Sequence, residues 1–247
     1  MPHFMRYQVE ARSRQQQLFS YLALRATDIV ADIGCGTGYF TGLIQHQVAY
    51  ALGVDIDLQA LRLAKRFYQR LDFVLGSATR LPLKDEAVTK VLCTEVLEHV
   101  ADDSRVVAEC FRILRDYGVL SCSTPNASFP FRSRKSSHQG PQGPEFHFRR
   151  GYSPPAFQRL LSRAGFDSIQ LSYALPMLGT LLVEVLERIY SAAYRPLRSQ
   201  SELARLNASR AFKTYKLIFP ILLFLINVGL PRSLGGSILV VKARRTK

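Results

Sequence analysis

"IVADIGCGTGYFTG", residues 29–42, joins an apolar run to a carboxylate and three glycines at alternate positions. Ile29 to Ile33 read as a short buried strand. Gly34, Gly36 and Gly38 then make a sharp turn, and "GYFTGLIQHQV" (38–48) reads as the helix that follows it. Glycine tolerates positive φ and lets a ligand come close to bare backbone. Asp32 stands just before the turn, so whatever approaches meets a negative charge.

The same alternation continues outward. A helix over 8–24 precedes the opening strand. "YALGVDID" (50–57) reads as a second strand, followed by a helix from about Leu58 to Leu71. "DFVLGSA" (72–78) and "TKVLCTEV" (89–96) are a third and fourth strand. A helix from the "ADD" run (101–103) is expected to end near Asp116, and "GVLSCSTP" (118–125) is the fifth strand. "SPPAFQRLLSRAG" is a helix with proline in its first turn and Gly165 as its stop. "FDSIQLSYA" and "GSILVVKAR" (236–244) are the sixth and seventh strands. Strands alternating with helices at this spacing imply an α/β fold with a parallel sheet covered by helices on both faces.

The turn's chemistry narrows the ligand. Asp55 ends the second strand, where a carboxylate can accept both ribose hydroxyls of an adenosine. The dinucleotide fingerprint G-x-G-x-x-G would place its third glycine at position 39, which is Tyr39. A pyrophosphate would also sit badly beside Asp32. A molecule with an ammonium and a sulfonium would not, and S-adenosylmethionine has both beside its adenosine. A plain tight turn would explain the glycines alone, but not Asp32 and Asp55 together. Asp57, by contrast, reads as the N-cap of the next helix.

From these residues the chain resembles the class I S-adenosylmethionine-dependent methyltransferases. "ADIGCGTG" looks like their first motif and "GVDID" like their ribose-binding strand end. "GSATRLPLKDEAVTKVLCTEVLEHV" is similar to the segment that family writes G-D-A-x-x-L-P-F, F-D-x-V, E-V-L-E-H-V, and "FRILRDYGVLSCSTPN" to R-V-L-K-P-G-G-x-L with S-T-P-N. The likeness covers residues 25–175 and the last strand, and implies a Rossmann-like sheet of seven strands with helices on both faces. It implies that Asp32, Gly34, Cys35, Gly36, Gly38, Asp55, Ile56, Ser77, Ala78 and Thr94 hold S-adenosylmethionine. Three positions depart from the pattern: Ser77 stands for the usual Asp, Val88-Thr89 for F-D, and Asp116-Tyr117-Gly118 for P-G-G.

Methyl transfer from a sulfonium is an in-line displacement in which positioning supplies much of the rate. A general base is needed only for an acceptor that must lose a proton. His99, after the fourth strand, and His147, in "EFHFRRGYS", are the candidates for that catalytic role; each can equally be an ordinary turn or loop residue. Glu95, Glu98 and His99 spell E-x-x-E-H, which in the ubiquinone O-methyltransferase branch is associated with magnesium. The wider family carries the same letters without metal, and no metal is expected here. Arg132, Arg134, Lys135, Arg149 and Arg150 flank a long loop, 126–153, that reads as a lid. They are candidates to clamp an anionic group of the substrate, or a solvated basic face.

Charge and hydropathy divide the chain. Residues 1–125 carry 14 Lys and Arg against 14 Asp and Glu, whereas 126–247 carry 19 against 5, so the net charge of +14 lies wholly in the second half. Four cysteines stand singly in apolar segments without C-x-x-C spacing, which reads as buried reduced thiols. The polar N-terminus lacks the apolar core of a signal peptide, so a cytoplasmic setting is expected.

The expected domains are a methyltransferase unit, 1–175 and 236–247, and a helical, basic and apolar insert, 176–235. Within the insert, 178–195 has helical apolar spacing, and "LIFPILLFLINVGLP" (217–231) contains no charge. Fifteen residues broken by Pro220 are too few to span a bilayer but suit a membrane-dipping element with basic flanks. The expected partners are a hydrophobic or lipid acceptor and an anionic membrane surface, with nucleic acid disfavoured. Three readings follow. One is a peripheral membrane methyltransferase for a lipid or prenylated-quinone acceptor. The second is a soluble small-molecule enzyme whose insert is a cap or dimer surface, and the third a non-catalytic cofactor-binding relative. The residues do not specify acceptor atom or oligomeric state.

Overall fold

The computed structural model describes residues 9–129, 147–174 and 235–246. The insert, but for Gly235, lies outside the described residues, as do its expected helix over 178–195 and the uncharged run at 217–231. So do Arg132, Arg134 and Lys135 and most of the expected lid.

Helix α1 (Val9–Leu22) is followed by β1 (Ile29–Ile33), α2 (Tyr39–Ile44), β2 (Tyr50–Asp55), α3 (Leu58–Phe67), β3 (Asp72–Leu75) and β4 (Val88–Thr94). A short 3-10 turn (Leu97–His99) leads to α4 (Asp103–Ile113), β5 (Leu114–Pro125), α5 (Pro154–Arg163), β6 (Phe166–Tyr173) and β7 (Ile238–Arg245). The seven strands form one sheet in the order β3-β2-β1-β4-β5-β7-β6. The first five run parallel as expected, whereas β7 corrects the expectation of a parallel sheet: it enters antiparallel to both neighbours, between β5 and β6.

Alternation along the strands fills two cores, one on each face. Ala31 and Ile33 of β1 join Val106, Cys110, Phe157 and Leu161 beneath α4 and α5. Val30, one residue out of phase, joins Leu18, Leu22 and Ile44 beneath α1 and α2. Ser121 of β5 fastens α1 by donating to the Leu18 carbonyl at 3.2 Å, and buried Ser13 donates to the Ala174 carbonyl. All four cysteines are buried and unbridged.

Most expected elements are present, some shorter. The α4–β5 junction is a correction: α4 ends at Ile113 and β5 begins at Leu114, inside the stretch expected to be helical. Leu114 pairs with Val88 while Val119 pairs with Lys90, so β5 carries a bulge between them. Tyr117, at φ 62°, makes the bend. Arg245 of β7 donates to the Leu114 carbonyl from 131 residues away. Of the other departures, Thr89 is structural. Its hydroxyl accepts from the Ile29 amide at 3.0 Å and donates to Asp28 at 2.9 Å, tying β4 to the start of β1.

Candidate functional site

The carboxyl ends of β1, β2, β4 and β5 form one rim, and the sequence-selected residues gather along it. Gly34, Gly36 and Gly38 all have positive φ (70°, 52° and 76°), so the turn takes a path most L side chains resist. The Gly34 and Cys35 amides both donate to the Val54 carbonyl, drawing the turn onto β2. A Cβ on Gly34 would lie 2.2 Å from Val96, and one on Gly38 2.8 Å from Phe73. A Cβ on Gly36 would meet nothing within 4 Å, so that backbone faces open space. Two glycines therefore serve packing and the middle one leaves the ligand side bare.

Asp32 is 1% exposed. Its Oδ2 accepts a 2.6 Å hydrogen bond from Thr41 of α2, but its Oδ1 is buried and accepts none among the described residues. Burial pushes its carboxyl up to about 7, opposed by the Thr41 hydrogen bond. A buried carboxylate oxygen with no donor is costly unless something cationic completes it. Asp55 accepts from the Gly36 amide at 2.7 Å through Oδ2 and from the Asp57 amide at 2.9 Å through Oδ1. It thus locks the glycine turn to the β2–α3 loop, and each oxygen keeps a lone pair for a diol. Asp57 is the expected N-cap, accepting from Gln59 and Ala60. Ile56, 74% exposed, lies beside Asp55 as an apolar platform. Ser77 pairs its hydroxyl with that of Thr79 at 2.8 Å, with Ala78 between them. Cys35 is buried against Gly53, and Thr94 ends β4.

The other half of the rim follows β4. Glu95 has φ 54°, an uncommon conformation for a residue with a side chain. Its carboxylate accepts from Ser123 at 3.1 Å and lies 4.0 Å from Arg14 of α1. Glu98 is 1% exposed and accepts from Thr124 at 3.2 Å. Burial, with the nearby Glu95 charge, pushes its carboxyl up to about 8. His99 and His147 are brought together, ring centroids 4.3 Å apart and edge to face. Among the described residues, no three His, Cys, Asp or Glu side chains are grouped to hold a metal ion.

Arg149 is neither a substrate clamp nor a solvated basic residue, the two places open to it from sequence. Its guanidinium donates to the carbonyls of Leu97, Val100 and Ala101 and lies 3.5 Å from Asp103. The Phe148 amide donates to the Glu98 carbonyl at 2.8 Å. Segment 147–150 is thereby docked on the post-β4 turn, which is what sets His147 against His99. Sequence reasoning had no signal for this clasp, nor for Tyr152 donating to Asp103.

Strand order, the rim-side glycine turn and the acidic strand ends define a Rossmann-like α/β domain of the methyltransferase type. Residues 31–122 match the family model "Methyltransferase domain", and over that stretch the chain is similar to S-adenosylmethionine-dependent methyltransferases. It is 34% identical over 155 residues to a Mycolicibacterium smegmatis protein named "Probable S-adenosylmethionine-dependent methyltransferase", covering 62% of this chain and 58% of the relative. It is 31% identical to the ubiquinone biosynthesis O-methyltransferase of Pasteurella multocida, over 43% of this chain and 52% of that one. The chain thus spans about half the length of these relatives. Its fold is similar to that of Haemonchus contortus phosphoethanolamine N-methyltransferase 2 in complex with S-adenosylmethionine. That likeness has a TM-score of 0.63 and 15% identity, and covers 96% of this chain and 53% of that chain.

Proposed function

We propose that this protein transfers a methyl group from S-adenosylmethionine to a hydrophobic, membrane-resident acceptor of the lipid, isoprenoid or quinone kind. The observation that carries the cofactor half is the bare, buried Oδ1 of Asp32 across the glycine turn from Asp55. Asp32 takes the ammonium of the methionine end, Asp55 the ribose diol, Ile56 the adenine face, and Ser77 with Ala78 the adenine edge. Gly36 keeps the backbone between them clear. The cofactor, when bound, supplies a methyl already activated on a sulfonium.

His99 and His147 stand ready to hold the acceptor's proton, with Glu98 and Arg149 fixing the turn that carries them. The acceptor half rests on the uncharged run at 217–231, the basic second half of the chain, and the likeness to a ubiquinone O-methyltransferase. Among the described residues no helix is long and apolar enough to cross a membrane; the uncharged run at 217–231, only 15 residues and broken by Pro220, favours contact from one side. Two experiments test the reading. Calorimetric titration with S-adenosylmethionine should show binding, and its absence at millimolar ligand removes the cofactor half. Lipid extracts from cells with and without the protein should differ by a species heavier by one CH2. Methylation only of water-soluble metabolites favours the soluble alternative.

A further inference from the structure

A groove of about 750 Å³ lies between α4 and α5, away from the glycine turn, and no step above uses it. Arg105, Arg159 and Arg163 face it over a floor of Ala108, Ala156, Leu160 and Ala164. Asp102 and Asp103 lie at its end, but both are engaged. Asp102 caps α4, accepting from the Arg105 amide at 2.9 Å and the Ser104 hydroxyl at 2.7 Å. Asp103 accepts from Tyr152 and lies 3.5 Å from Arg149. Arg105 gives only its Nε, to the Thr79 carbonyl at 3.3 Å. Arg159 and Arg163, one helical turn apart, are both exposed, and no carboxylate among the described residues pairs with them. Two adjacent guanidinium forks with no carboxylate paired to them among the described residues match the oxygens of a phosphate. A single phosphate fills a small part of this volume, and the alanine-lined floor suits an apolar body behind the anionic head. Segment 147–150, docked beside the end of the groove, exposes Phe148 by 54%, an aromatic ring next to basic groups.

We infer that the α4–α5 groove is a docking site for the headgroup of an anionic phospholipid in the bilayer, with Arg159 and Arg163 as its phosphate ligands. The inference deepens the membrane reading above and rests on it. It places the bilayer against the α4–α5 face, so that Arg149, bonded both to Asp103 at the groove's end and to the post-β4 turn, is the link from headgroup to acceptor side.

The test is flotation of the full chain with phosphatidylcholine vesicles, with and without phosphatidylglycerol. Wild type should favour phosphatidylglycerol, and R159E/R163E should lose that preference by at least about tenfold. Its thermal midpoint and cofactor titration should be unchanged, since neither residue touches the rim. R62E/R66E makes the same charge change on α3 and should float like wild type; an equal loss there means net charge and overturns the site. Flotation of R159E/R163E equal to wild type also overturns it. If that variant has instead lost calorimetric binding of glycerol 3-phosphate, the groove serves a soluble phosphate ester. None of these readings measures methyl transfer, so an inactive enzyme and an unoccupied groove are told apart.

Discussion

Asp32 and Glu98 are carboxylic acids whose folded pKa lies above the unfolded value, at about 7 and about 8. Acids shifted this way bind protons more tightly folded than unfolded. The stability they contribute is full below about pH 4 and is lost as pH rises through 7 to 8. The ligand-free protein should therefore melt lower at pH 8 than at pH 5. Asp32→Asn removes the buried charge, so ligand-free it should melt higher than wild type at pH 8 by about 1–3 kcal/mol, with the gap closing at pH 5. The same change should weaken S-adenosylmethionine binding by about tenfold to a hundredfold in calorimetry. Opposite signs in stability and affinity mark a residue held for its ligand; a loss of both means Asp32 only braces Thr41. The glycines give a second contrast. Gly34→Ala drives a methyl into Val96 at positive φ and should cost about 2–4 kcal/mol in denaturant unfolding. Gly36→Ala meets open space, so it should cost only about 1 kcal/mol while lowering cofactor affinity more than that strain accounts for.

Among the elements, the post-β4 turn is held by one side chain. Arg149→Lys keeps the charge but cannot reach three carbonyls at once. It should lower stability by about 1–3 kcal/mol and speed hydrogen exchange at the Phe148 amide, leaving cofactor affinity unchanged. This is also the scale at which the sequence stops being legible. β1 and β2, with Asp32 and Asp55 at their ends, were readable because apolar runs, glycines and acids sit within one short stretch. The helix N-cap at Asp57 was readable for the same reason. The start of β5 was not. "RILRD" has helical character locally, and what makes Leu114 a strand residue is Val88 beside it and Arg245 reaching its carbonyl. Thr89 looked like a lost motif residue, yet its hydroxyl ties two strands. The letters E-x-x-E-H pointed only to the magnesium association of one branch of the resembled family, whereas burial beneath Thr124, a tertiary fact, pushes the Glu98 carboxyl above the usual carboxylate range. Arg149 read as a substrate clamp or a solvated basic residue because its partners are carbonyls, which no side-chain pattern announces.

At the scale of the whole molecule, two kinds of membrane attraction are expected to separate. Raising the salt concentration should strip the phosphatidylglycerol-dependent part of vesicle flotation and leave whatever apolar affinity the chain has for neutral vesicles. Wild type at high salt should then resemble R159E/R163E at low salt. β7 has a different consequence. It lies between β5 and β6, and among the described residues β6 has no other strand neighbour. Its residues, 238–245, follow those of the other six described strands, yet they fill an interior place in the sheet. A ribosome-bound nascent chain can assemble the five parallel strands but must hold β6 unpaired until β7 has emerged. During that interval an open hydrogen-bonding edge on β5 is offered to any extended peptide nearby. A chain stopped before Ser237 should therefore be captured by chaperones or aggregate, even though it contains every residue named here as a cofactor or catalytic contact.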